Sequence, residues 1–196
     1  MNIAIIDAGA GNLKSIYNFF FRNFSSTIKV YNSQNKELDE SEVLILPGVG
    51  HFGHVSKNLK DTNLDESIKM FASTKKPLIG ICLGAQMLTK SSEEALETNG
   101  LGLINANCIS LSKHPVYRGN IPRIGWSGIE GEDKSSYYFV HSFFINVNDK
   151  NLATKFCVDG VTASVQFDNI LATQFHPEKS DLSGEKFIKE FLKKYV

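Results

Sequence analysis

The chain has 196 residues, and its 21 basic and 21 acidic side chains give a formal net charge of zero. This balance gives no reason to expect nucleic acid or an anionic membrane surface as a partner. No apolar run approaches the ~20 residues of a membrane-spanning helix, and the N-terminus predicts no signal peptide. The length and the 42% share of hydrophobic residues indicate one globular domain over residues 1–196.

The three cysteines, Cys82, Cys108 and Cys157, are odd in number and lack the paired spacing of a metal site. Disulfides are typical of oxidising compartments, and these cysteines give no reason to expect a disulfide framework. We therefore expect reduced cysteines and a cytoplasmic location.

The first motif is a strand followed by a glycine-rich turn. Residues 2–7 predict a short strand, residues 7–12 (DAGAGN) a turn, and the next segment an amphipathic helix. A dinucleotide site would need G-x-G-x-x-G, but Lys14 stands where the third glycine belongs, so nucleotide binding is not predicted. The apolar helix positions expected in the core are Leu13, Ile16, Tyr17, Phe20 and Phe24.

Two further strands are predicted at residues 27–31 and 43–46. The second ends in a PGVG loop at residues 47–50. Loops at the carboxyl ends of parallel strands are common ligand sites, and glycines let backbone N–H groups approach a ligand closely. Residues 55–71 then predict a helix that covers the sheet.

Residues 78–88 predict a strand followed at once by a helix, with Cys82 at the junction. Gly80 and Gly84 flank this cysteine, as a tight turn requires. The pattern G-x-C-x-G is the cysteine counterpart of the G-x-S-x-G nucleophile elbow, and a helix N-terminus favours a thiolate. A lone cysteine in an apolar run is more often a core residue, but the two glycines favour a nucleophile.

A cysteine nucleophile needs a base and a group that orients the base. His176 and Glu178 offer both, within residues 174–178 (QFHPE). They follow a predicted hairpin over residues 161–175 and precede a predicted amphipathic helix over residues 183–195. A triad that uses His141, in a strand predicted at residues 137–143, is the less favoured alternative.

Residues 80–86 (GICLGAQ) together with the QFHPE segment resemble the motifs of the class I (triad) glutamine amidotransferases. The resemblance covers essentially the whole chain. Within that family, the GNL start, the PGVG loop and residues 137–143 (YYFVHSF) are similar to the glutaminase subunits of imidazole glycerol phosphate synthase. The resemblance implies a flavodoxin-like α/β/α fold of three layers, with a mainly parallel sheet and an antiparallel extension.

The resemblance also implies the catalytic roles. Cys82 would attack the side-chain amide of glutamine, and His176 and Glu178 would complete the triad. Backbone N–H groups near Gly50 and at Leu83 would form the oxyanion hole. No metal or organic cofactor would be needed.

Four positions resemble the family's substrate-binding residues. Gln86, which we expect to be exposed on the same side of the helix as Cys82, would hold the ligand, and Glu94 would contact its α-amino group. Backbone groups of Ser142 and Phe143 would hold its carboxylate.

Residues 121–127 (IPRIGWS) resemble a segment that faces the synthase partner in this family. Trp126 and Arg123 are therefore expected at a partner interface. Arg123 and Ser127 depart from the family's usual His and Asn.

The implied function is glutamine hydrolysis that supplies ammonia to a β/α-barrel cyclase, in a heterodimer with lyase activity in histidine biosynthesis. A paralogue that supplies ammonia for a surface sugar is the main alternative, because Arg123, Ser127 and Phe143 depart from the usual pattern. An anthranilate-type glutaminase, a standalone γ-glutamyl hydrolase and a non-catalytic binding subunit are further alternatives. The intact Cys82, His176 and Glu178 argue against the last.

Overall fold

The computed structural model describes residues 1–9, 11–132 and 134–195. Its helices are α1 (Leu13–Asn23), α2 (Phe52–Asp61), α3 (Leu64–Ser73), α4 (Leu83–Met87) and α5 (Asp181–Leu192). Its strands are β1 (Asn2–Ile6), β2 (Thr27–Tyr31), β3 (Val43–Gly48), β4 (Leu78–Cys82), β5 (Ser91–Ser92), β6 (Asn107–Ser110), β7 (Arg123–Ser127), β8 (Tyr137–His141), β9 (Phe143–Asn146), β10 (Ala153–Phe156), β11 (Thr162–Phe167) and β12 (Ile170–Thr173).

The main sheet has the strand order β10-β11-β12-β4-β3-β1-β2. Strands β2, β1, β3, β4 and β12 run parallel, whereas β11 and β10 are added antiparallel. The predicted α/β fold with a mainly parallel sheet and an antiparallel extension is therefore confirmed. The predicted hairpin is the β11–β12 pair, in which Phe167 pairs with Ile170. The strands β5, β6 and β9 form a second, smaller sheet, and β7 and β8 form a third, both separate from the main sheet in hydrogen bonding.

Alternating strand residues enter two hydrophobic cores on opposite faces of the main sheet. Ala4 and Ile6 of β1 belong to the core that contains α2, α3 and α4 residues. Ile3 and Ile5 belong to the core that contains α1 and α5 residues. Helices thus cover both faces of the sheet and produce the expected three layers.

The helix predicted over residues 55–71 is divided into two. Helix α2 ends at Asp61 and α3 begins at Leu64, because Asn63 between them adopts the left-handed conformation with φ +55°. Asparagine tolerates this conformation better than most residues, so the break has a local cause. The single-helix prediction was wrong at this point, although the apolar positions on both sides remain buried.

The strand predicted over residues 137–143 is also divided. Strand β8 ends at His141 and pairs with β7, whereas β9 begins at Phe143 and pairs with β6. The bend at Ser142 therefore joins two different sheets. It places Ser142 and Phe143 beside the end of β4, where the candidate site lies.

The prediction of which α1 residues lie in the core was wrong for Tyr17. Tyr17 is 37% exposed, whereas Ile16, Phe19 and Phe20 are buried.

Within the described ranges, no helix is both long enough and apolar enough to span a membrane.

Candidate active site

Cys82 occupies the junction of β4 and α4. Its φ of +54° and ψ of −110° give a non-glycine residue a strained backbone conformation. A Cβ at Gly80 would come within 2.8 Å of the Ala85 Cα, and a Cβ at Gly84 would overlap the carbonyl oxygen of Leu46. The two glycines therefore allow β3, β4 and α4 to approach closely enough to hold the strained cysteine.

His176 and Glu178 follow β12 and are joined by a hydrogen bond of 2.8 Å between Nδ1 and Oε1. Both side chains are almost completely buried, at 4% and 2% exposed. Nδ1 is the donor when Glu178 is ionised, because a carboxylate only accepts. The other ring nitrogen, Nε2, is buried and has no hydrogen-bond partner within the part of the chain described. It is therefore free to exchange a proton with a ligand.

The charge of His176 is set by its two neighbours. Burial alone would lower the pKa of His176, but the nearby Cys82 sulfur and the Glu178 carboxylate outweigh burial and raise this pKa to about 10. His176 is then an imidazolium at pH 7. Its Nε2 can therefore donate a proton to a group in the cavity.

Cys82 and His176 line one cavity of about 240 Å³ at the carboxyl ends of β3 and β4. The structure brings the predicted oxyanion and substrate residues to the same cavity, and their roles stay predictions. These residues are Gly50, Leu83, Gln86, Glu94, Ser142 and Phe143. The rest of the lining comes from Val49, Pro122, Val140 and His141.

The two predicted oxyanion residues come from different elements. Leu83 is the first residue of α4, so its N–H has no acceptor within the helix. Gly50 lies just beyond β3 with φ +98°, a conformation that favours glycine. Among the residues that the structure describes, none lies within 4 Å of a Cβ built at Gly50. The glycine is therefore needed for its backbone conformation and not for close packing.

Gln86 lies one turn into α4, but the expectation that it is exposed was wrong, because it is only 4% exposed. Its Nε2 donates to the carbonyl oxygen of Phe143 at 2.9 Å and to Oε1 of Gln174 at 3.0 Å. Both N–H donors are used inside the protein, so only Oε1 remains for a ligand. Gln174 Nε2 in turn lies 3.9 Å from the Cys82 sulfur. Sequence reasoning missed this link, although Gln174 belongs to the QFHPE segment.

Glu94 has a structural contact that sequence reasoning also missed. Its Oε2 accepts a hydrogen bond of 2.7 Å from the N–H of Phe52, the first residue of α2. A carboxylate at a helix N-terminus is stabilised by the unpaired N–H groups and the helix dipole. This contact joins residues 42 positions apart, and it holds the Glu94 carboxylate at the cavity.

Trp126 and Arg123 lie on opposite faces of β7, because residues three apart in a strand point in opposite directions. Trp126 is 53% exposed, whereas Arg123 is 8% exposed. The Arg123 guanidinium pairs with Asp159 at 2.9 Å and lies 4.5 Å from the ring centroid of Phe139. The expectation that Arg123 contacts a partner is therefore corrected, since its side chain is occupied inside the protein. Trp126 stays a predicted interface residue.

Two residues that support the His176 turn were not predicted. Ser180 Oγ donates to the His176 carbonyl oxygen at 2.6 Å and accepts from the Tyr138 N–H at 3.0 Å. A Cβ at Gly184 would overlap the carbonyl oxygen of Pro177, so this glycine lets α5 pack directly on the turn. A glycine inside an amphipathic helix is the sequence signal that could have indicated this contact.

A family model described as class-I glutamine amidotransferase matches residues 4–195. The chain is 38% identical over 203 residues to a Sulfurimonas denitrificans protein named imidazole glycerol phosphate synthase subunit HisH, with 97% of each chain covered. It is 40% identical to the protein of the same name from Prochlorococcus marinus (strain MIT 9211), with 98% of this chain and 94% of the relative covered. A Campylobacter jejuni (strain RM1221) protein named subunit HisH 1 is 36% identical, with 97% and 99% covered.

Solved structures share the fold at low sequence identity. A crystal structure described as a glutamine amidotransferase gives a TM-score of 0.78 at 18% identity, with 97% of each chain covered. The structure of PurLQS from Thermotoga maritima gives 0.76 at 19% identity, with 100% of this chain and 99% of the other covered. These two structures support the fold alone, whereas the family model and the full-length relatives show the family. The chain belongs to the class-I glutamine amidotransferase family, and within it to the relatives named HisH.

Proposed function

We propose that this chain hydrolyses glutamine to glutamate and ammonia, and delivers the ammonia to the cyclase subunit of an imidazole glycerol phosphate synthase. One observation supports the proposal most directly: Cys82, at the N-terminus of α4, lines the same cavity as His176. The hydrogen bond from Glu178 to His176 uses Nδ1 and leaves Nε2 without a partner among the described residues. The full-length similarity to subunits named HisH supports the choice of synthase over a sugar-amidating pathway.

In the proposed mechanism, the Cys82 thiolate attacks the carboxamide carbon of glutamine. The N–H groups of Leu83 and Gly50 stabilise the negative oxygen that forms, and loss of one such donor typically lowers kcat ~100- to 1,000-fold. His176 gives its Nε2 proton to the nitrogen, the C–N bond breaks, and ammonia leaves a glutamyl thioester behind. Neutral His176 then takes a proton from water, which attacks the thioester and releases glutamate. Glu178 holds the imidazole in position throughout.

The polar groups around the cavity suit the amino-acid end of glutamine. Gln86 Oε1 and the Glu94 carboxylate are acceptors, and acceptors fit an α-amino group. Backbone N–H groups at Ser142 and Phe143 would fit the α-carboxylate. A backbone contact there explains why a phenylalanine in place of the family's tyrosine would cost little.

The proposed partner is a β/α-barrel cyclase that covers the mouth of the cavity in a heterodimer. Ile124 and Trp126, on the outward face of β7, are 64% and 53% exposed. Ile124 pairs across the hairpin with Val140, which lines the cavity. An exposed apolar face therefore continues into the site, and a partner docked there would receive ammonia before it reached solvent.

We further propose that residues 1–196 act as one domain in the cytoplasm. The packing of both helical layers on one main sheet supports a single domain. The three cysteines are all unpaired, which fits a reducing compartment.

The test is glutamate release from glutamine by the purified chain, mixed with the barrel cyclase of the same organism and its nucleotide substrate. We expect strong stimulation by the loaded cyclase, complete loss in Cys82→Ala, and retention in Cys108→Ala, a buried cysteine outside the cavity. Glutamate release that depends on Cys82 but is not stimulated by the loaded cyclase would support the glutaminase activity and overturn the proposed ammonia acceptor. No glutamate release in any mixture would overturn the proposal.

A further inference from the structure

A side chain that lines the cavity carries a buried hydrogen-bond acceptor that the mechanism above does not use. His141 is 6% exposed and lines the cavity beside Val140, whose carbonyl oxygen lies 3.7 Å from the Cys82 sulfur. Its Nδ1 lies 2.9 Å from the carbonyl oxygen of Phe143. A carbonyl oxygen only accepts, so Nδ1 carries the hydrogen, and in the neutral ring Nε2 is a bare acceptor. This Nε2 is buried and has no partner in the ranges that the structure describes.

The surroundings of His141 keep the ring neutral. Burial is the main cause that lowers the pKa of His141, to about 3, and the positive charge of Arg123 and the nearby His176 add to it. Arg123 is the register partner of His141 across β7 and β8, and its ion pair with Asp159 fixes it there. The two histidines of the cavity therefore differ in the protonation of Nε2. His176 can donate a proton there, whereas His141 can only accept a hydrogen bond.

An unpaired buried acceptor destabilises a structure unless a ligand supplies the missing donor. Glutamine carries such a donor at its reacting end, since the carboxamide nitrogen has two N–H groups. An ester oxygen in the same position has none. The acceptor thus distinguishes γ-glutamyl amides from γ-glutamyl esters.

Building on the proposed glutaminase function, we propose that His141 Nε2 accepts a hydrogen bond from the carboxamide nitrogen of glutamine, and then from the ammonia formed from it. The bond orients the nitrogen so that its lone pair can meet the proton on His176 Nε2. His141 forms no covalent bond and transfers no proton. The electron pair of the C–N bond leaves on nitrogen, and the proton that completes ammonia comes from His176.

The test uses the complex with the loaded cyclase and compares two substrates, glutamine and the γ-methyl ester of glutamate. His141→Asn keeps an N–H at the Nδ1 position for the Phe143 carbonyl and removes the acceptor at Nε2. We expect kcat/KM for glutamine to fall roughly 10- to 100-fold, as for a buried hydrogen bond left unmade, and kcat/KM for the ester to stay within about twofold. His141→Gln, which returns an amide oxygen near the Nε2 position, should recover part of the loss. His54→Asn, at an exposed histidine of α2, should behave as wild type.

Equal losses on both substrates would overturn the proposal, since they would mean that His141 only maintains the shape of the cavity. Unchanged glutamine hydrolysis in His141→Asn would also overturn it. A wild-type complex with no Cys82-dependent glutamine hydrolysis would be a different result, because it would overturn the glutaminase function itself and this inference with it.

Discussion

At the scale of single residues, the charge states of His176 and His141 decide which proton transfers and hydrogen bonds the cavity can support. His176 is flanked by a sulfur and a carboxylate, and its pKa is raised to about 10. Burial is the main cause that lowers the pKa of His141 to about 3, and the guanidinium of Arg123 lowers it further. His176 can therefore donate a proton in this cavity, whereas His141 can only accept a hydrogen bond at Nε2.

We predict that His176 stays protonated well above pH 7. Its folded pKa of about 10 lies above the ordinary 6.5, so the folded chain binds this proton more tightly than the unfolded chain. The stabilisation is fully present below pH 6.5 and is lost as the pH rises through about 10. NMR titration of the ring protons measures this pKa, which should fall in Glu178→Gln because one of the two neighbours that raise it becomes neutral. A wild-type midpoint near pH 6.5 would contradict the prediction.

The placement of site residues could be predicted from the sequence only where the motif is local. The position of Cys82 at the junction of β4 and α4 follows from its flanking glycines, and the contact between His176 and Glu178 joins residues two positions apart. The catalytic roles of the three residues stay predictions. The burial of Gln86 could not be predicted, because its two hydrogen-bond acceptors lie 57 and 88 positions further along the chain. The inward direction of Arg123 could have been predicted by applying strand alternation, since the exposed Trp126 is three residues away.

At the scale of elements, the site depends on how closely α4 packs on the strands β3 and β4. We predict that Gly84→Ala destabilises the protein by about 3 kcal/mol or more and abolishes glutamine hydrolysis. The new methyl group would overlap the Leu46 carbonyl oxygen in β3, and backbone cannot move as a flexible side chain can. Urea unfolding measures the loss, with Gly128→Ala as the matched control, since a Cβ at Gly128 would be 3.6 Å from its nearest neighbours. A Gly84→Ala protein as stable as the control would contradict the close packing.

The elements themselves were mostly predictable from hydrophobic periodicity, and their exceptions have local causes. Strand β2 and the β11–β12 hairpin lie where predicted. Asn63 ends one helix and starts another by a backbone conformation that periodicity does not report. Ser142 separates β8 from β9, and the pairing with β7 and β6 decides that division rather than the sequence of the segment.

At the scale of the whole molecule, the β7–β8 hairpin connects the proposed partner face to His176 of the proposed triad. Trp126 packs against Tyr138 across the hairpin, with ring centroids 5.8 Å apart. The carbonyl oxygen of Tyr138 accepts a hydrogen bond of 2.9 Å from the N–H of His176. A partner that contacts Trp126 would therefore be separated from the backbone of His176 only by Tyr138.

We predict that Trp126→Ala weakens binding of the cyclase roughly 10- to 100-fold and changes the unfolding free energy by less than about 1 kcal/mol. The reason is that an exposed tryptophan loses partner contacts but few contacts within the chain. Phe21→Ala is the matched control, because Phe21 is an aromatic residue on α1 with nearly the same exposure, 55% against 53%. Calorimetric titration with the cyclase measures the two dissociation constants. Binding that is unchanged in Trp126→Ala, or weakened equally in both variants, would exclude β7 as the docking face and require the ammonia acceptor to approach the cavity from another side.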